Sequence, residues 1–231
     1  MDLRPIVLLF HVLVGALALG TGLFALVGPK TGLGHRRAGV AFFACMAGIC
    51  ATALWLSLAR RSWFLLQVDG LSWYFAWTGW LALARKGLRQ GDRAPLAHLI
   101  PPVALALWSL GWGLRGLREM HALTAAFALL GLLAAVPDLV RLAQPSKRPH
   151  QWLVDHVIGF AGAFVASVTA LVVVNAGHVV GHDFRHRYLF WLVPPAVGFL
   201  WIALHARSMR KITASASAGG EALPQDGGIP A

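Results

Sequence analysis

Ten histidines and nine carboxylates are the side chains in this 231-residue chain with chemistry to offer. Neutral imidazole is the commonest protein ligand for metals and for haem iron. His11, His121, His178, His182 and His186 fall toward one end of the apolar segments, and His35, His98, His150, His156 and His205 toward the other. Two such layers suit a pair of b-type haems. The outer layer would draw on His11 with His121 or His178, the inner on His156 with His35 or His98. A second constellation is local: His178, His182 and His186 recur every four residues, a helical spacing that could hold zinc or copper, which is less favoured than haem. Among the acids, Asp69, Asp138 and Asp155 fall inside apolar segments. A charged group there costs a few kcal/mol or more and so needs a partner or a water-filled cavity. Asp138 can pair with Arg141 one turn away, and Asp155 reads as a capping residue at the start of its helix. Asp69 has no local partner. Asn175 is the remaining polar residue singled out within a span.

Trp73, Trp77 and Trp80 share a helix face, where they either line a quinone or lipid pocket or pack against neighbours or lipid. Cys45 and Cys50, five apart, point to different faces and do not form a disulfide. The chain has no CxxCH for covalent haem, no nucleophile elbow, no Walker loop and no HExxH, so no catalytic residue is assigned.

The elements that must position these groups follow from composition. The chain is 58% hydrophobic and only 13% charged, half the charge that a soluble domain of this size carries. It needs lipid as solvent. Seven apolar stretches, at about 6–28, 38–58, 63–84, 97–114, 120–141, 152–179 and 188–206, each approach the ~20 residues a helix needs to cross hydrocarbon. The first is longer than a signal-peptide core. The expectation is an all-α polytopic bundle of about seven transmembrane helices over 1–212, followed by a disordered cytoplasmic tail over 213–231 rich in Ala, Ser, Gly and Pro. Small residues every four positions in the sixth stretch (Gly159 and Ala163; Gly162, Ala166 and Ala170) predict close helix packing.

The net charge of +11 is spread singly between apolar runs, which marks membrane topology and argues against nucleic acid. The first, third and fifth links plus the tail carry thirteen Lys and Arg, and the opposite side seven. That asymmetry puts the C-terminus in the cytoplasm and the N-terminus outside.

One group of motifs is familiar. His11-x3-Gly15 through Gly20 is followed by Gly34-His35-Arg36-Arg37-Ala38-Gly39 and Phe64-Leu65-Leu66. Ser72-Trp73-Tyr74-Phe75, Gly79 and His156 come next, then Ser167 through Asn175 and Trp191-Leu192-Val193-Pro194 with Gly198. The chain to about residue 210 resembles a family of uncharacterised bacterial multipass inner-membrane proteins that carry a domain of unknown function. The resemblance implies a helical fold in the bacterial inner membrane and draws attention to His11, His35, Arg36, His156 and Asn175. Asp69 and the histidines after Asn175 depart from the pattern.

Three functions fit these residues. The first is a b-type haem-binding or redox-associated membrane protein, with a membrane redox partner or quinone. The second is a proton- or cation-coupled small-molecule transporter using Asp69, Asp138 and His156. The third is a non-catalytic assembly or sensing subunit.

Overall fold

The apolar runs form helices where expected. The computed structural model describes residues 2–30, 32–146, 150–180 and 188–218, with side chains described to 176 in the sixth helix and to 211 in the seventh. The elements are α1 (Arg4–Val27), α2 (Leu33–Ala59), α3 (Trp63–Leu83), a single 3-10 turn (Leu96–Leu99), α4 (Ile100–Arg118), α5 (Ala122–Leu142), α6 (Gln151–Val180) and α7 (Leu189–Ala218). Pro101 and Pro102 open α4, where a missing N–H costs nothing. Helix α7 continues to Ala218, past the expected start of the tail at 213. The Ala-Ser run there carries no breaker, and the first glycine is Gly219.

Six helices are long and apolar enough to cross a membrane; α3 is the exception. Its 21 residues include Gln67, Asp69, Ser72, Thr78 and three tryptophans. At 1.5 Å per residue it is still about 31 Å long, enough for the hydrocarbon core. It tolerates polar groups because protein encloses it: α2, α4, α5 and α6 all pack on it. Gln67 near its start donates to the Thr124 carbonyl at the start of α5, while Arg85 just past its end meets α6. Helix α3 therefore runs the depth of the bundle, in the same direction as α5.

The central contact is α3 against α6. Gly79 and Gly159 meet backbone to backbone, and a Cβ on Gly159 would lie 2.4 Å from the Gly79 Cα. Gly162 admits the Phe75 ring in the same way, so the small-residue spacing read from sequence is the seam itself. Around it Phe42, Met46, Leu71, Phe75, Leu105, Phe127 and Ala163 form the buried core. A smaller cluster of Val154, Ala206 and Met209 docks the later part of α7 on the start of α6. The tryptophan stripe faces α2, where Phe43 stacks on Trp80 with centroids 4.6 Å apart and also meets Trp73 and Trp77. Packing, rather than an open pocket, occupies that face.

Candidate functional site: a buried ion-pair network and its cleft

At one end of the bundle α3 and α5 finish and α6 begins. Asp155 lies in the second turn of α6, not at its first residue, so it does not cap the helix as its sequence position suggests. Its carboxylate is 6% exposed and bridges two arginines. Arg85 donates from Nη1 to Asp155 Oδ2 at 2.8 Å, and Arg141 donates from Nη1 to Oδ1. Gln151, one turn earlier on α6, donates to the same Oδ1 at 2.7 Å. Arg141 also pairs with Asp138 through Nη2 at 2.8 Å, as the one-turn spacing predicts. Tyr74 completes the chain by donating its hydroxyl to Asp138 Oδ2 at 2.7 Å.

Two guanidiniums and two carboxylates thus neutralise one another where water is scarce. Desolvating four charges is expensive, and only direct guanidinium–carboxylate hydrogen bonds with extra donors such as Gln151 and Tyr74 make it tolerable. Two donors stay unused: Arg85 Nε and Arg141 Nε are buried without a hydrogen-bond partner among the described residues.

Both arginines line a cleft of about 520 Å³. Arg210 from α7, Gln151 and Trp152 share the polar wall, and Val136, Pro137 and Val140 of α5 form the apolar one. That volume lies within the ~300–1,000 Å³ of small-ligand pockets. Its rim is tied by backbone bonds between the third and fifth links: Gly91 N–H donates to the Ser146 carbonyl at 2.9 Å, and Ser146 N–H to Asp92 at 2.8 Å. The thirteen Lys and Arg of this side of the chain face three carboxylates, Asp92, Asp138 and Asp155, before the two acids of the last eleven residues. A cleft with low-dielectric walls concentrates such a field.

The histidines are dispersed. His156 donates from Nδ1 to the Gly79 carbonyl at 3.0 Å, and His98 donates from Nε2 to the Leu81 carbonyl at 3.3 Å. Gly79 and Leu81 are about 200° apart around α3, so the two rings flank that helix instead of facing each other. His35 is within electrostatic reach of His156. On the opposite side His11 contacts Thr52 Oγ1 at 2.8 Å. The Thr52 hydroxyl already donates to backbone carbonyls, so His11 Nδ1 is the donor and Nε2 keeps its lone pair. His121 instead caps α5: its Nδ1 accepts from the Thr124 N–H at 3.2 Å, which leaves the proton on Nε2 and no lone pair there for iron. His11 and His121 also sit on helices with different neighbours, α1 on α2 and α6, α5 on α3 and α4.

Among the described residues no three or more His, Cys, Asp or Glu gather as a metal site. His182 and His186 lie outside the described residues, as does the side chain of His178. Asp69 sits half-buried against the Cys50 thiol, a partner 19 positions away that no local spacing reveals. Asn175 is exposed and turns its amide back onto the Leu171 carbonyl.

Arg85 and Arg210 enter the sequence only as two of the thirteen link and tail cations, and no spacing marks Gln151 or Tyr74 for this role. The available signal was weak: three acids in apolar segments require partners, and Arg85 directly ends one such segment. Comparison with protein-family models, with curated proteins and with solved structures finds no match for this chain.

Proposed function

We propose that this protein binds an anionic group in the Arg85–Arg141 cleft, as a carrier in the bacterial inner membrane with the cleft facing the cytoplasm. The observation that supports this most is Arg85 itself. It is 9% exposed and lines the cleft, and its Nε–H, like that of Arg141, is buried without a hydrogen-bond partner among the described residues. A guanidinium edge presents donors at the spacing of carboxylate or phosphate oxygens. Asp138 and Asp155 are each engaged by arginine, so the geometry favours an anion over the cation or proton expected from the acids alone. The charge asymmetry between the two sides supports the orientation.

The network also supplies a switch. An anion that takes the arginine donors competes with Asp155, which ties α3, α5 and α6 together. A ligand shifts such an equilibrium only by its differential affinity for the two arrangements, and exchange of a carboxylate partner is such a difference. The test is titration of the purified protein in detergent with inorganic phosphate and, separately, succinate, followed by calorimetry. Saturable binding that weakens about tenfold in Arg141→Gln is expected for loss of one charge-assisted pair. Absence of binding for every anion tried, soluble or lipid-borne, or binding unchanged in Arg141→Gln, overturns the reading.

A second reading, a b-type haem at the inner layer, is favoured by one observation. His156 spends Nδ1–H on the Gly79 carbonyl, the backbone anchor that leaves Nε2 free to ligate, with His35 nearby. Protein from a haem-replete host would then show a Soret band, lost in His156→Ala. A featureless spectrum at good yield rejects it.

A further inference from the structure

The cleft is open on its apolar side. Val136 and Val140 are 46% and 54% exposed, on the outward face of α5. They continue a stripe that begins at Leu129 and Leu133, 58% and 63% exposed, at the i, i+4, i+7, i+11 spacing of one helix face. Eleven residues at 1.5 Å each give a track about 16 Å long. It starts in the lipid-facing middle of the bundle and ends at the guanidiniums. Arg85, Arg141, Gln151 and Trp152 line the cleft together with Val136 and Val140, whereas Leu129 and Leu133 lie farther along α5, outside its lining.

From this arrangement we infer that the ligand is an amphiphile: a lipid whose anionic phosphate headgroup occupies the arginine corner while its acyl chain lies along Leu129, Leu133, Val136 and Val140. The inference rests on the anion-binding reading and adds the substrate class and the route of entry. A soluble anion would need only the polar wall, and nothing in its recognition would use a track leading out toward lipid. Charge complementarity selects an anionic headgroup over a zwitterionic one, because the side of the chain that holds the cleft carries thirteen Lys and Arg.

The experiment places the full-length protein in phosphatidylcholine nanodiscs and measures binding of long-chain phosphatidic acid by native mass spectrometry. Glycerol 3-phosphate, the headgroup without its tails, is titrated in parallel. Two variants are used. Arg141→Gln removes a headgroup partner. Val140→Trp obstructs the track at an exposed position that makes no part of the ion-pair network, so it should fold even if the arginine variant does not. The expected result is retention of phosphatidic acid over phosphatidylcholine by at least tenfold, a comparable loss in both variants, and glycerol 3-phosphate binding at least a hundredfold weaker. Glycerol 3-phosphate binding as tightly as the lipid, with Val140→Trp silent, overturns the amphiphile and leaves the anion site standing. Failure of phosphatidic acid, glycerol 3-phosphate and inorganic phosphate alike removes both.

Discussion

Arg85 and Asp155, seventy residues apart, meet at 2.8 Å with both side chains at least nine-tenths buried. One belongs to the end of α3 and the other to the start of α6, so the pair forms only when those helices have docked along their glycine seam. Its energetic character is asymmetric. The intact pair adds little net stability, because desolvation offsets attraction, but one partner left alone is a buried uncompensated charge.

Asp155→Ala should therefore lower unfolding stability by about 3–5 kcal/mol, since it strands Arg85 and leaves Arg141 with Asp138 alone. Arg85→Gln in the same chain should restore part of the loss. Chemical denaturation in detergent of the two single variants and the double variant gives the coupling, and strict additivity would show that the two residues do not act on each other.

Tyr74→Phe removes one hydroxyl and leaves the ring in the core. The lost bond is to the charged Asp138, so stability should fall by about 1.5–3 kcal/mol. A melting curve unchanged from the parent protein would mean that water replaces the hydroxyl there.

Gly159→Ala puts a methyl group into the Gly79 backbone and should cost about 1–3 kcal/mol as overpacking. Gly111→Ala meets nothing within 4 Å and serves as the control, at neutral to slightly stabilised. Thermal unfolding of both compares the seam with the lipid-facing surface. Equal melting temperatures would contradict the α3–α6 contact.

Orientation is open to labelling. In a background with Cys45 and Cys50 replaced by Ala, Gly87→Cys and Met120→Cys place single thiols at exposed sites on opposite ends of the bundle. A membrane-impermeant maleimide should reach Met120→Cys in right-side-out vesicles and Gly87→Cys only in inverted ones. The reverse pattern would invert the topology and place the cleft outside.

The amino-acid sequence determined the environment and the elements. Sparse charge required lipid, runs of about 20 apolar residues required helices, and the link charges split thirteen to seven. The close-packing face of α6 was legible too, because small residues repeat there at the helical period, but not that α3 is its partner. One local pair, Asp138 with Arg141, was also legible, since three residues are one turn. What the tertiary structure alone decided is who meets whom across helices. Asp155 looks like a cap in sequence and becomes the centre of a network, because the apolar packing of α6 on α3 turns it toward Arg85 and toward Arg141 at the end of α5. The histidines look layered in sequence, yet among those described His98 and His156 turn to separate carbonyls of α3, His121 caps α5 and His11 meets Thr52. Depth along a helix is set by counting residues, but azimuth relative to a distant helix is set by packing, and ion pairs and ligand sites depend on azimuth.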